Sequence, residues 1–353
     1  MNRWPMYQPI QNDELLSSWL LRNALAHGCA PLAFCGALWP GARLWTKDLD
    51  CGLDERFLRQ FDSADFPGVA LSANRFKNAI KTLSGVDVRH ANTRWLLSLG
   101  MRNRRHSCGL QYCPMCFAEE IPYLRFQGRY AWYTGCPIHG CSLSSRCFRC
   151  HAPVQLHLLV PPAINCSTCH ACGAILGSVS ELEPCLPDAL VLQSMADNQL
   201  YGRSDSAQEW FEYAYLLVSM LRYALRSRSA PTLNLLSQLG VELGSGHKGS
   251  SGLPLELLEV SERMQLMAWL APLVVHSPDQ VAQVIARHRL PVSMFGRNCK
   301  KTVIGTMAGV LCSAAATPAH KTSPTDRHWH SSRKTVVREW ARLQRKIFAY
   351  VHS

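Results

Sequence analysis

Cys113-Pro-Met-Cys116, nineteen residues, Cys136-Pro-Ile-His139, then Cys147-Phe-Arg-Cys150, eighteen residues, Cys169-His-Ala-Cys172-Gly173: this sixty-residue stretch decides how the chain is built. A Cys-x-x-Cys or Cys-x-x-His turn points two donors at one ion. Two such turns complete a tetrahedron with Zn–S near ~2.3 Å and Zn–N near ~2.0 Å. Four protein donors leave no position for water or substrate, so each site reads as structural. Too few apolar residues lie between the turns to hold the region alone, whereas zinc binding to such sites contributes ~10–16 kcal/mol at neutral pH. Two zinc ions are therefore expected, on Cys113, Cys116, Cys136 and His139 and on Cys147, Cys150, Cys169 and Cys172.

Zinc is preferred over disulfides or an iron–sulfur cluster because many of the sixteen cysteines come as Cys-x-x-Cys pairs. The start, Met1-Asn2-Arg3-Trp4-Pro5, has no apolar leader, which points to a reducing, cytoplasmic setting. Two alternatives stay open here. Cys166 is also spaced to pair with Cys169, although Gly173 can take the positive φ that often follows a knuckle and favours Cys169 with Cys172. The knuckles could also pair crosswise, although the seven residues between His139 and Cys147 make sequential pairing simpler. Cys108 and Cys141 are possible substitute ligands, and Cys29, Cys35, Cys51, Cys185, Cys299 and Cys312 read as core residues.

Outward from the cysteines the pattern is helical. The fold class is mainly α, with two small zinc-knuckle modules inserted between helical regions. Residues 13–27 place Leu15, Leu16, Trp19 and Leu20 at helical spacing before Gly28. A looser stretch through Trp39-Pro40-Gly41 follows. Short helices are expected over 54–62 and 72–83, the second capped by Ser72 and followed by Gly85, together compatible with a helix-turn-helix. Residues 208–228 and 255–270 read as strong helices, the latter ended or kinked at Pro272. Between them, 244–252 is a glycine- and serine-rich loop. A further helix starts at Ser277, where Pro278 and Gln280 complete a capping-box pattern, and ends before Pro291. Residues 302–319 read as a buried helix, 321–332 as a polar linker, and 333–351 as an amphipathic helix with Trp340 on its apolar stripe. The expected regions are 1–107, 108–178, 179–320 and 321–353.

The formal net charge of +12 sits at the two ends. Residues 1–172 carry 18 basic against 11 acidic side chains, 173–319 carry 11 against 12, and 320–353 carry 8 against 2. A polyanionic partner suits the ends. The candidate contacts are Arg89, Arg94, Arg102, Arg104 and Arg105, with Trp95 interleaved, and Arg333, Lys334, Arg338, Arg342, Arg345 and Lys346 in the last helix. That helix could equally dock on a partner or pack on its own domain. No segment reads as a membrane span, since 302–319 is rich in small and hydroxyl residues and 264–275 is too short. No Gly-x-x-x-x-Gly-Lys-Ser/Thr loop, His-Glu-x-x-His helix or His-x-Glu partner for a Cys pair is present, which argues against an enzyme.

One further set of residues is specific. Asp13-Glu14-Leu15-Leu16-Ser17-Ser18-Trp19-Leu20-Leu21-Arg22 precedes Cys113–Cys116, Pro122-Tyr123-Leu124-Arg125, Cys136-Pro137-Ile138-His139-Gly140 and the second cysteine set in that order. Over residues 8–175 the chain thereby resembles the TniQ family of transposon target-selection proteins. It departs from the family at Gly128, where a Trp is common, and Trp132 is placed to fill that space. The resemblance implies a non-enzymatic adaptor, of a kind that is often homodimeric, that links a target-recognition complex to the transposon AAA+ ATPase and transposase. Recognition would come from a CRISPR RNA-guided effector or from attachment-site DNA. A free-standing sequence-specific DNA-binding protein is the alternative.

Overall fold

A computed structural model describes residues 4–42, 44–46, 48–52, 55–61, 65–84, 93–99, 109–119, 121–178, 182–202, 206–244, 252–288 and 340. The chain divides into two compact units, Met1–Thr317 and Pro318–Ser353. Of the second, only Trp340 is described; it is helical and exposed. The expected helices at 302–319 and 333–351, the linker 321–332 and most of the 244–252 loop lie outside the described residues.

Within the first unit the described segments are mainly helical: α1 (Leu16–Ala26), α2 (Pro31–Leu38), α3 (Leu49–Gly52), α4 (Glu55–Leu58), α5 (Val69–Ser84), α6 (Pro114–Phe117), α7 (Pro187–Tyr201), α8 (Ala207–Ser227), α9 (Ala230–Gln238), α10 (Val260–Leu273) and α11 (Pro278–His288). Extended backbone among them forms only isolated bridges.

Helix α1 ends where expected: Gly28 takes φ +67°. It is almost wholly buried, and its polar residues serve its own fold. Glu14 accepts hydrogen bonds from Ser18 Oγ (2.9 Å), Arg22 Nε (2.8 Å) and Arg22 Nη2 (2.7 Å), and Ser18 Oγ receives the Leu124 N–H (3.0 Å). Asp13 accepts from Tyr123 Oη (2.9 Å) and Arg125 Nη1 (2.6 Å). The two polar stretches near positions 13–22 and 122–125 thus face each other across the core. Trp19 donates to Gln8 O (2.8 Å) and packs with Trp4, Phe61 and Phe66.

Several elements depart from the sequence reading. The stretch after Gly28 contains α2, opened by Pro31 at its first turn, where a missing N–H has no cost. Helix α5 begins at Val69, just past Gly68 (φ +83°), so Ser72 is not its cap. Ser72 lies inside the helix, buried, and its hydroxyl donates to Glu14 O (3.0 Å). The helix expected from Leu255 starts only at Val260, after a 3-10 turn at Leu255–Leu257. Glu256 in that turn accepts the Trp95 N–H (2.9 Å), which holds the segment across the core. The helix also runs through Pro272, which sits in its last turn and so interrupts little of the ladder. The capping box of α11 is formed: Ser277 N donates to Gln280 Oε1 (2.8 Å) and Gln280 N to Ser277 Oγ (3.3 Å). Helices α7 and α9 have no counterpart in the sequence reading.

Trp95 is buried, not an exposed ring beside basic residues. It takes φ +68°, donates Nε1 to Phe211 O (3.0 Å) and packs against Trp132, Phe211 and Tyr215. Arg263 of α10, itself buried, donates to Ala131 O and Gln111 Oε1, both at 2.7 Å. These bonds join the helices after residue 187 to the segment that carries the cysteines. Gly128 packs so closely on Gln111 that an added Cβ would lie 2.9 Å from its carbonyl oxygen. A Trp cannot occupy that position here, and Trp132 stacks instead on Tyr130, with centroids 4.4 Å apart.

Asp197 on α7 accepts a long bond from Trp132 Nε1 (3.4 Å), and burial pushes its carboxyl up to about 6. A folded-state value above the unfolded ~3.9 means this contribution is complete below pH ~4 and is lost as pH rises through 6. Asp197→Asn keeps the acceptor and removes that loss. Its unfolding free energy, measured by denaturant titration, should match the wild type near pH 4 and exceed it at pH 8, by on the order of 1–2 kcal/mol after discounting partial exposure. An equal gap at both pH values would show that Asp197 is not the titrating group.

Candidate metal centres

The chain builds the same backbone device three times. In Cys136–Gly140 the Gly140 N–H donates to Cys136 O (2.8 Å), and the Cys136 N–H to Cys141 O (2.8 Å). In 147–152 the His151 N–H donates to Cys147 O (2.9 Å), and the Cys147 N–H to Ala152 O (2.9 Å). In 169–174 the Gly173 N–H donates to Cys169 O (2.9 Å), and the Cys169 N–H to Ala174 O (2.8 Å). The residue after each second donor takes a positive φ: Gly140 +64°, His151 +57°, Gly173 +70°. Glycine suits this position in two of the three knuckles, and His151 adopts it without that freedom. A bridge closes the base of each: Gly135 with Ser142, Arg146 with Pro153, and Thr168 with Ile175. The fourth knuckle differs. Cys113 precedes the short helix α6, and the Cys116 N–H points at Cys113 Sγ (3.5 Å).

The knuckles meet in sequential pairs. Donor atoms of Cys113, Cys116, Cys136 and His139 all lie within 4.8 Å of one another, as do those of Cys147, Cys150, Cys169 and Cys172. In the first group His139 Nδ1 lies 3.5, 3.4 and 3.5 Å from the sulfurs of Cys113, Cys116 and Cys136, and Cys116 Sγ lies 3.8 Å from Cys136 Sγ. In the second, Cys147 and Cys172 sulfurs are 3.7 Å apart, and those of Cys150 and Cys169 3.6 Å. A tetrahedron with the usual zinc bond lengths has S···S edges of about 3.8 Å and S···N edges of about 3.6 Å. A disulfide would need about 2.05 Å, and the eight donors include seven free thiols. The geometry fits a divalent ion with thiolate preference. The two clusters could hold metal ions.

Electrostatics point the same way. Hydrogen bonds from the Cys116 and Cys136 thiols draw Cys113 down to about 2, while Cys116, the donor, is driven far up. In the second cluster the Ala174 N–H lowers Cys172 to about 7, and burial raises Cys169 to about 12. Sulfurs this close cannot all ionise unaided; a bound dication removes that conflict. His139 turns its other nitrogen, Nε2, toward Glu119 Oε1 (3.7 Å), a carboxylate placed to orient the ring.

The other cysteines separate clearly. Cys166 is buried outside the second cluster and donates its thiol to Pro122 O (3.1 Å). Cys141 lies 3.5 Å from Cys113 Sγ, beside the first cluster but not among its four donors. Cys35 and Cys185 are buried, and Cys29 and Cys51 half-buried; Cys108, Cys299 and Cys312 lie outside the described residues.

Of the candidate polyanion contacts only Arg94 is described. Its Nη1 is 2.7 Å from Glu212 Oε2, and its guanidinium lies 4.8 Å from the Tyr215 ring centre, so it anchors the segment to α8. Arg89, Arg102, Arg104, Arg105, Arg333, Lys334, Arg338, Arg342, Arg345 and Lys346 lie outside the described residues. No helix among the described residues is long and apolar enough to cross a membrane.

Residues 5–143 match the model of the TniQ family. The chain carries a TniQ-family region. The matched span is under half of the chain; it contains the first candidate metal site and stops before Cys147. Within the TniQ region, the polar residues of 13–22 are spent on internal bonds, so that part of the pattern encodes the fold. A comparison with curated proteins found no match. The TniQ family implies a transposition-associated role in target selection.

Sequence reasoning missed the buried cluster of Arg129 with Asp48 and Asp50, since nothing local links positions eighty residues apart. It also missed Glu119, whose only sequence signal is its place three residues after Cys116.

Proposed function

We propose that this chain is a non-enzymatic adaptor in transposon target selection. It joins a target-recognition complex, formed with a CRISPR RNA-guided effector or on attachment-site DNA, to the AAA+ ATPase that engages the transposase. The observation that carries this reading is the TniQ match over residues 5–143. The two four-donor clusters support it, because four protein ligands close each site to substrate and leave zinc a bracing role. On this reading Cys113, Cys116, Cys136 and His139 hold one zinc ion and Cys147, Cys150, Cys169 and Cys172 the other. The helical surfaces before and after them meet the partners, in the cytoplasm, and a second copy of the chain is one such partner.

Retention of the transposon's AAA+ ATPase on the immobilised, zinc-loaded chain tests the proposal, with ATP and with target DNA or effector present. Saturable retention is expected. Failure to retain the ATPase under every condition would leave the free-standing DNA-binding protein as the better reading.

A further inference from the structure

Three of the four donors at the first candidate metal site are thiols, and a fourth thiol lies against them. Cys141 Sγ is 3.5 Å from Cys113 Sγ, closer than the 3.6–3.8 Å between paired ligand sulfurs in either cluster. Cys141 is buried, and its backbone is fixed: its carbonyl accepts the Cys136 N–H (2.8 Å), and it bridges to Pro184. Beside this pair, Tyr112 and Ser144 exchange two N–H···O bonds of 2.9 and 2.8 Å, which hold the segment of Cys113 against that of Cys141. Zinc has no use for Cys141, because Cys113, Cys116, Cys136 and His139 complete a tetrahedron. With Cys141 included the thiols number four and stand as two pairs, Cys113 with Cys141 and Cys116 with Cys136. Each pair joins one knuckle to the other.

We propose that these four thiols are a peroxide-oxidisable site, in which the disulfides Cys113–Cys141 and Cys116–Cys136 replace zinc as the link between the knuckles. The inference goes beyond the adaptor role and rests on the assignment of zinc to the first site. Each pair must close by about 1.5–1.8 Å to reach the ~2.05 Å of a disulfide. Hydrogen peroxide is the oxidant. The Cys113 thiolate attacks one peroxide oxygen; an S–O bond forms, the O–O bond breaks, and hydroxide leaves. The Cys141 sulfur then attacks the sulfenic acid; the S–S bond forms, the S–O bond breaks, and water leaves. Cys116 and Cys136 repeat the sequence. Two peroxides accept four electrons from the four sulfurs, three protons come from solvent, and four waters, two disulfides and the zinc ion result. The His139 side chain is 22% exposed, which opens the site to a small oxidant from that side. The second cluster, with four thiol ligands, already has an even number of sulfurs. A histidine ligand denies the first site that property, and Cys141 restores it.

The test oxidises the full, zinc-loaded chain with hydrogen peroxide. A chromophoric chelator reads zinc release, non-reducing peptide mapping locates the cross-links, and far-ultraviolet circular dichroism follows the fold. Wild type should release zinc, yield Cys113–Cys141 and Cys116–Cys136, and keep its helical signal; dithiothreitol with zinc should reverse all three. Reduced Cys141→Ser should hold as much zinc as wild type, since its four ligands remain. On oxidation its Cys113 has no partner, so capture of the sulfenic acid by dimedone should rise several-fold and the helical signal should fall. Cys141→Ala should behave alike, which separates loss of the thiol from the effect of a buried hydroxyl. Cys141 still free to alkylate after first-site zinc is lost, or Cys113 joined to Cys116, would overturn the proposal. So would peroxide that releases no zinc from the first site, or reduced Cys141 variants that hold one ion fewer than wild type. Reduced wild type without first-site zinc would instead remove the zinc assignment itself, so the two failures are distinguishable.

Discussion

Cys116→Ser and Cys150→Ser should each lower the zinc content by one ion per chain and yield insoluble or protease-sensitive protein. Each knuckle contributes two donors to a four-donor cluster, and a serine hydroxyl is a poor replacement for a thiolate. The loss draws on a binding energy of ~10–16 kcal/mol, larger than the whole stability of most domains. The two variants should not fail alike. The first cluster is enclosed by residues that α10 reaches through Arg263 and Gln111, whereas Cys150 is exposed. Cys116→Ser should therefore disturb the core more widely, and Cys150→Ser should expose residues 147–176 first in limited proteolysis. Metal analysis by mass spectrometry checks stoichiometry, and chelator titration should release two ions. Soluble variants with the full zinc content would overturn the ligand assignment.

Arg129→Met should cost ~3–5 kcal/mol, the expected price of stranding buried carboxylates. The Arg129 side chain is fully buried. Its Nη2 lies 2.5 Å from Asp48 Oδ2 and 2.9 Å from Leu97 O, and its Nη1 lies 3.5 Å from Asp50 Oδ2. Burial, reinforced by the charge of Asp48, pushes Asp50 up to about 6, while Arg129 holds Asp48 below its ordinary value. The signs are opposite. Asp50 contributes stability that is present below pH ~4 and lost as pH rises through 6. Asp48 contributes stability that is present above pH ~4 and lost below it. Removing the guanidinium leaves both carboxyls wanting a proton, so the gap between Arg129→Met and wild type should narrow in acid. Adding Asp48→Asn should recover part of the loss. A variant with wild-type melting at pH 7.5 would show that this cluster does not brace the fold.

The sequence by itself determined the features that are local. A Cys-x-x-Cys turn places two donors within one ion's reach whatever lies around it, so the eight clustered donors were legible from spacing. Gly28 as a stop and Ser277 with Gln280 as a cap were legible for the same reason. The resemblance read over residues 8–175 is met by a family match over residues 5–143, which stops short of the second cysteine set. Tertiary structure decided what depends on partners far along the chain. It paired the knuckles sequentially and turned Cys166 away to Pro122 O. It drew Trp95 from a basic stretch into the core and moved the start of α5 ahead of Ser72 to meet Glu14. The physical reason is common to all of these. Spacing fixes a turn's geometry within a few bonds, but which buried group satisfies a thiol, an indole N–H or a guanidinium depends on segments brought together only by packing.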